Sequence, residues 1–232
     1  MKNLWIVANW KSNKTIEEAL EWVGKVGPKI KKEDFLKVVV CPTFSVLSEV
    51  KKAIQVGNFP LLVGCQDLSP FDKGAYTGEE SASLLKQLVD LAIIGHSERR
   101  YNFGETDQQI ENKLTRASQA DIIGLLCVQG NETPVPKGCQ LIAYEPISAI
   151  STGLDNTPGS GQPEDPLNAS SIATFFKQQH GQDLEVLYGG SVTGKNVKQF
   201  ISQKEINGVL VGNASLDATE FIKIVEEAIN GA

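Results

Sequence analysis

The chain lacks several features that mark specialised protein classes. It has only two histidines and four cysteines in 232 residues, with no C-x-x-C pair and no spacing typical of a metal site. No apolar run is long enough to span a bilayer, and Met1 leads into an apolar strand without the hydrophobic region of a signal peptide. No G-x-G-x-x-G follows the first apolar run. These absences argue against a metal site, a membrane span and a dinucleotide-binding fold.

The net charge and the positions of the cysteines indicate the kind of partner and the compartment of the protein. The net charge is −6, so the chain has no basic field that would attract nucleic acid or an anionic membrane. Cys41, Cys65 and Cys127 lie in apolar runs, as reduced core thiols do, and this predicts a cytoplasmic protein. A hydrophobic fraction of 41% is enough for one core, and we expect a single catalytic domain over residues 1–232.

Apolar runs rich in Val, Ile and Leu alternate with segments of helical period. The strand candidates are Leu4–Ala8, Leu36–Cys41, Leu61–Cys65, Leu91–Gly95, Ile122–Val128, Leu141–Tyr144, Glu185–Tyr188 and Gly208–Val211. The helix candidates are Thr15–Val26, Ser45–Val56, Ser81–Leu88, Thr106–Gln119, Ala169–Gln179 and Ala218–Ile229, with capping boxes at Thr15/Glu18 and Thr77/Glu80. Eight strands in this alternation predict an α/β protein with a closed (β/α)8 barrel of parallel strands. An open doubly wound sheet stays possible from the pattern alone.

One connection departs from the alternation. The segment from Gln129 to Gln140 contains two prolines and two glycines in twelve residues, which leaves no room for an ordinary crossover helix. We therefore expect a loop in place of the fifth barrel helix. The apolar strand before it would then lose part of its usual cover.

Polar motifs close several of the apolar runs, where parallel strands present their carboxyl ends and α/β proteins build their sites. They are Asn9-x-Lys11, Gly-Ala-Tyr-Thr-Gly-Glu (74–79), Gly-His-Ser-Glu-Arg-Arg (95–100), Phe-Gly-Glu-Thr-Asp (103–107), Tyr-Glu-Pro (144–146), Tyr-Gly-Gly-Ser-Val (188–192) and Gly-Val-Leu-Val-Gly-Asn-Ala-Ser-Leu (208–216). Together, and in this order, they resemble the triosephosphate isomerase family over nearly the whole chain. The resemblance implies a TIM barrel that interconverts D-glyceraldehyde 3-phosphate and dihydroxyacetone phosphate without a metal or organic cofactor.

Moving a carbonyl to the neighbouring carbon needs one base and donors aimed at two oxygens. Glu145 is the candidate base, since its apolar neighbours in sequence should desolvate the carboxylate and make it more basic. The resemblance makes His96 the neutral donor to the developing oxyanion, because the family is known to pair a neutral histidine with a glutamate base. A helical turn after His96 should disfavour its protonated form. By the same resemblance Lys11 would supply positive charge, Asn9 would donate to the substrate, and Glu98 would orient Lys11 or shuttle a proton.

The resemblance also implies a phosphate site made of backbone N–H groups. Gly189-Gly190-Ser191 and Gly212-Asn213 end strands seven and eight and precede short helices, so free N–H groups should face an anion there. Asn213 stands where the family usually has glycine. Ser151 is expected to reach the phosphate from the closing loop. This loop departs from the family, which usually has Trp at Ser148 and Gly at Ser151.

Members of the family form dimers through the loop after strand three, and this loop is retained here over residues 66–79. We therefore expect a homodimer or larger assembly, with Thr77 near Lys11 of the partner subunit, and a small phosphorylated triose as substrate. Two alternatives stay open: an aldolase, which would need a lysine inside the barrel, and a phosphometabolite-binding barrel with weak or lost turnover.

Overall fold

Eight parallel strands form a closed barrel in the computed structural model, which describes residues 2–149 and 161–232. The strands are β1 Leu4–Asn9, β2 Leu36–Cys41, β3 Leu62–Cys65, β4 Leu91–Ile94, β5 Ile123–Val128, β6 Leu141–Tyr144, β7 Glu185–Tyr188 and β8 Gly208–Val211. Each strand pairs with the next one along the chain, and β8 pairs with β1. This order confirms the predicted barrel and excludes the open doubly wound sheet. The predicted strand bounds differ by at most one residue at each end.

Helices cover the barrel. They are α1 Ile16–Val26, α2 Phe44–Gly57, α3 Ala82–Leu85, α4 Ser97–Phe103, α5 Asp107–Gln119, α6 Pro166–His180, α7 Val197–Ile201 and α8 Ala218–Ile229. The capping box of Thr15 and Glu18 at the start of α1 is confirmed. The one predicted at Thr77 is wrong, because no helix begins there and the next one starts after Ser81.

Buried apolar side chains form two layers, as the alternation of side chains along barrel strands requires. The inner layer fills the barrel and includes Val7, Val39, Leu91, Leu125 and Leu187. The outer layer lies between the strands and the helices. A packed interior leaves the rim of the barrel as the place where polar groups from different strands can meet.

The segment between β5 and β6 contains turns and bends but no helix, as its prolines and glycines predict. Val135 and Cys139 are partly buried against the outer layer, so the segment itself covers some of the apolar surface. Ile123, at the start of β5, nevertheless remains 41% exposed. A cavity of about 520 Å³ separates this segment from α5.

All four cysteines are free, and the three predicted core thiols, Cys41, Cys65 and Cys127, are buried. Within residues 2–149 and 161–232, no helix has the length and apolar character needed to cross a membrane.

Candidate functional site

The carboxyl ends of the strands surround a cavity of about 250 Å³. Its lining includes seven of the residues predicted from the sequence, which are Asn9, Lys11, His96, Glu145, Ser191, Gly212 and Asn213. Glu98 lies behind Lys11 and lines a neighbouring cavity of about 290 Å³. Ser151 lies outside the described residues. The structure thus brings together side chains that are far apart in the chain.

Glu145 follows β6 and is almost completely buried, with 2% of its surface exposed. Its two carboxylate oxygens have different partners. Nε2 of His96 lies 3.0 Å from Oε1, and the backbone N–H of Ser97 donates to Oε2 over 3.1 Å. Both partners come from the start of α4, so the first turn of that helix holds the carboxylate of the predicted base.

His96 is the N-cap of α4, and its Nδ1 accepts a hydrogen bond from the backbone N–H of Glu98 over 3.2 Å. An accepting Nδ1 carries no proton, which leaves the proton on Nε2, the nitrogen that faces Glu145. The contacts of the ring therefore suit a neutral imidazole whose N–H points into the cavity.

The negative charge of Glu145, by contrast, favours the protonated form of His96. Burial by itself disfavours the charged form of each group, but their mutual attraction outweighs it, so the pKa of His96 is raised and the pKa of Glu145 is lowered. The expectation that burial makes Glu145 more basic is therefore wrong for this arrangement, as is the expectation of a lowered pKa for His96. The sequence indicated burial correctly but could not show the 3.0 Å contact that reverses its effect.

Lys11 is fixed by a small network on the other side of the cavity. Its Nζ lies 2.5 Å from Oε1 of Glu98, a contact through which Glu98 can orient Lys11. Its backbone has a positive φ of 51° and is held at both ends: its N–H donates to Oδ1 of Asn9 over 3.0 Å, and its carbonyl accepts from Nε2 of Gln66 over 2.8 Å. Positive φ is uncommon for a non-glycine residue, so the two backbone bonds are needed to hold this conformation. The conformation in turn determines where the side chain places its ammonium group.

Gln66 and Ser97 also take part in the site, although the sequence did not single them out. Gln66 also donates to the carbonyl of Cys41 over 3.0 Å and so ties the ends of β1, β2 and β3 together. A glutamine in a loop gives no sequence signal for this role, and Ser97 contributes through a backbone N–H that any residue but proline would supply.

The backbone of the predicted phosphate corner is only partly available. The N–H and Oγ of Ser191 both donate to the carbonyl of Ala149, over 3.0 and 2.8 Å, and the N–H of Gly189 donates to the carbonyl of Tyr144. The prediction that these N–H groups are free is therefore wrong for Gly189 and Ser191. Asn213 begins a short 3₁₀ turn, and the first N–H groups of a helical turn have no partner within it. The end of β8 thus offers the more accessible donors.

Two glycines after β7 make room for the site. A Cβ at Gly189 would lie 2.9 Å from Cγ of Glu145, and one at Gly190 would lie 2.2 Å from the hydroxyl oxygen of Tyr188. Any larger residue at Gly189 would displace the predicted base. The glycine pair is therefore required by packing.

Arg99 and Arg100 make structural ion pairs. Arg99 contacts Asp67 over 2.8 Å and Glu105 over 3.3 Å, while Arg100 contacts Asp107 over 2.7 Å. They hold α4 and the start of α5, and neither lines the 250 Å³ cavity.

The arrangement supplies what proton transfer next to a carbonyl needs: a buried carboxylate, an imidazole N–H and an ammonium that face one cavity. No group of three or more His, Cys, Asp or Glu side chains suited to a metal ion was found among residues 2–149 and 161–232.

Known proteins are similar to this chain in both sequence and fold. The family model described as triosephosphate isomerase matches residues 4–140 and 136–228. Triosephosphate isomerase of Mesomycoplasma hyopneumoniae is 37% identical over 249 residues, covering 95% of this chain and 97% of the relative, and that of Geotalea uraniireducens is 37% identical over 244 residues, covering 95% and 96%. The crystal structure of triosephosphate isomerase from Bartonella henselae has a TM-score of 0.80 at 28% identity, covering 97% of this chain and 98% of that one.

Proposed function

The chain belongs to the triosephosphate isomerase family, and we propose that Glu145 and His96 carry out the family's reaction, the interconversion of D-glyceraldehyde 3-phosphate and dihydroxyacetone phosphate. The observation that carries this assignment is the buried pair itself, a carboxylate and an imidazole N–H 3.0 Å apart at one end of the barrel. One group can accept a proton from carbon while the other donates to the neighbouring oxygen.

In the proposed reaction Glu145 turns from His96 to the substrate and removes the proton from the carbon next to the carbonyl. The electron pair moves onto the carbonyl oxygen and forms an enediolate, which Nε2–H of His96 and the ammonium of Lys11 stabilise. The proton of the neighbouring hydroxyl passes to the former carbonyl oxygen, with Nε2 of His96 as donor to one oxygen and acceptor from the other. Glu145 then returns its proton to the other carbon as the new carbonyl forms. Once Glu145 has moved, the charge that raises the pKa of His96 is further away, while the N–H of Glu98 still points at Nδ1.

The remaining site residues have supporting roles in this proposal. Asn9 donates to a substrate oxygen and Glu98 orients Lys11, as their contacts with Lys11 suggest. Gly212 and Asn213 receive the phosphate at the start of the 3₁₀ turn. Ser191 joins them when the phosphate replaces the carbonyl of Ala149 as the acceptor of its N–H, and Ser151 remains a prediction for the same anion. The base and these donors supply the chemistry without a metal or cofactor.

A coupled assay with D-glyceraldehyde 3-phosphate tests this function. We expect saturable isomerisation that inorganic phosphate inhibits by competition. Binding of phosphate without turnover would favour the phosphometabolite-binding alternative. For the aldolase alternative, borohydride should trap substrate on a lysine. We expect no adduct, since Lys37 is the one lysine in the described strands, and its Nζ is engaged with the carbonyl of Asp34 at the exposed amino-terminal end of β2.

We further propose a homodimer or larger assembly in which the loop over residues 66–79 inserts next to Lys11 of the partner subunit. The 290 Å³ cavity beside Lys11 lies between the exposed side chains of Phe44 and Phe103, which are 41% and 71% exposed. In the loop, Phe71 and Tyr76 stack 4.4 Å apart and are almost half exposed. Exposed aromatic groups on both surfaces support burial between subunits.

We also propose that residues 1–232 act as one catalytic domain in the cytoplasm. The barrel draws its strands from Leu4 to Val211, which supports one domain, and the free thiols are compatible with a reducing compartment. Cell fractionation would test the location.

A further inference from the structure

Two tyrosines end neighbouring strands directly before parts of the site. Tyr144 ends β6 and precedes Glu145, whereas Tyr188 ends β7 and precedes the Gly189–Gly190 turn. The two residues are partners in the strand register, and both are buried in the outer apolar layer. Because Tyr144 is joined to Glu145 and Tyr188 to Gly189, contacts that fix the two tyrosines also fix the base and the turn beside it.

Glu164 binds both tyrosine hydroxyls. Its backbone N–H donates to the hydroxyl oxygen of Tyr188 over 2.9 Å, and the hydroxyl of Tyr144 donates to its Oε1 over 3.3 Å. The ring of Tyr188 is itself fixed, since it stacks on Phe200 at 3.9 Å with an interplanar angle of 7°. Glu164 lies two residues before α6, so it joins the start of that helix to the ends of two strands.

The second carboxylate oxygen of Glu164 is buried, and none of the residues that the structure describes donates to it. A buried carboxylate oxygen without a donor costs free energy when the group is charged. The titratable groups that face it are Tyr144, whose hydrogen bond favours the charged form, and Asp165, whose charge opposes it. Burial is the larger effect, and it raises the pKa of Glu164. Burial also raises the pKa of Tyr188 to about 12, so this tyrosine stays neutral.

We propose that Glu164 is a positioning residue for the isomerisation: it clips the ends of β6 and β7 to the start of α6 and thereby fixes Glu145 relative to the Gly189–Gly190 turn. This inference rests on the proposed function. The hydrogen bond from Tyr144 favours the charged carboxylate of Glu164, whereas burial disfavours it, and burial has the larger effect. Burial of the charged carboxylate should therefore lower the stability of the fold as the pH rises through the raised pKa of Glu164.

The kinetic test compares three single variants and one double variant of the full chain. Glu164→Ala removes the acceptor and should lower kcat about 10-fold, since displacements of about 1 Å can cost about 100-fold. Tyr144→Phe removes the donor and should give a similar loss, and the double variant should lose little more. Glu164→Gln keeps an acceptor oxygen and should hold kcat within about twofold of the parent. If Glu164→Ala retains the parent's kcat, or if Glu164→Gln fails as badly as Glu164→Ala, the clip does not position the base.

The second test does not depend on turnover. The Tm of Glu164→Gln should exceed that of the parent at pH ~8, and the difference should shrink as the pH falls toward 4.5, the ordinary pKa of a glutamate. Glu226→Gln, which removes an exposed carboxylate on α8, should show no such trend. Equal pH dependence in the two variants would overturn the protonation argument. Failure of the parent to isomerise D-glyceraldehyde 3-phosphate would instead refute the proposed function, so the two failures are distinguishable.

Discussion

The Nε2 atom of His96 lies 3.0 Å from Oε1 of Glu145, so the proposed donor and the proposed base hold each other in this arrangement. Each group stabilises the charged form of the other against the cost of burial. A substrate must separate them before either can act on it. Much of the pH behaviour of the site follows from this single contact.

Replacing His96 with Gln should have two effects. Loss of the N–H donor should lower kcat by about 100- to 1,000-fold, the usual range for one oxyanion donor. Loss of the charged partner should also raise the pKa of Glu145, which must be ionised to act as a base. The low-pH limb of the kcat/KM profile should therefore move to higher pH.

The control for this variant is His180→Gln. His180 is the other histidine of the chain and is exposed at the end of α6. It should leave both kcat and the pH profile unchanged. An unshifted acid limb in the His96 variant would show that the contact with Glu145 does not set the pKa of the base.

The barrel could be predicted because its strands are apolar on both faces and alternate with helical segments. The predictions that failed concerned local elements whose sequence has no periodic pattern. The predicted helix over Ser81–Leu88 shrinks to Ala82–Leu85, and the bounds of the short helix α7 Val197–Ile201 could not be predicted. Five residues span little more than one turn, too short for a recognisable period.

Of the site, only the residues that directly follow strands could be predicted from the sequence. Asn9, His96 and Glu145 each follow an apolar run, so their convergence follows from the barrel. The direction in which each contact moves a pKa could not be predicted, because it depends on atomic separations between residues that are distant in the chain. For the same reason the engagement of Ser191 with Ala149 was missed.

Thr77→Arg should weaken the proposed assembly. Thr77 is exposed in the loop expected to insert next to Lys11 of the partner subunit, where a second cation would repel the ammonium and be too large for the cavity. Light scattering at micromolar concentration should show a mass reduced toward the monomer, and activity should fall with it. Gln199→Arg, on α7, adds the same charge elsewhere and should keep the parent's mass. A monomeric parent with full activity would refute the assembly itself.

Val135→Asp tests the cover over the outer face of β5. Val135 is the bulky aliphatic residue of the Gln129–Gln140 segment and packs against the outer layer. Burying a carboxylate there should cost about 1–3 kcal/mol, equivalent to roughly 2–12 °C in Tm for a chain of this size. The kcat should remain that of the parent, because the segment does not line the active cavity.

Val56→Asp provides the matched comparison. Val56 lies on α2 and is 81% exposed, so the same substitution should change Tm very little. Equal melting temperatures for the two variants would show that the 129–140 segment is a surface loop without a covering role.

The role of Glu145 as the base is tested most directly by the kcat of Glu145→Asp in the coupled assay, measured beside Glu132→Asp. Shortening the side chain by one methylene withdraws the carboxylate by about 1 Å from the substrate carbon, which should lower kcat by about 100-fold while KM changes much less. Glu132 is exposed in the 129–140 segment, and its variant should retain the parent's kcat. A Glu145→Asp enzyme with a near-parental kcat would contradict the assignment of Glu145 as the base.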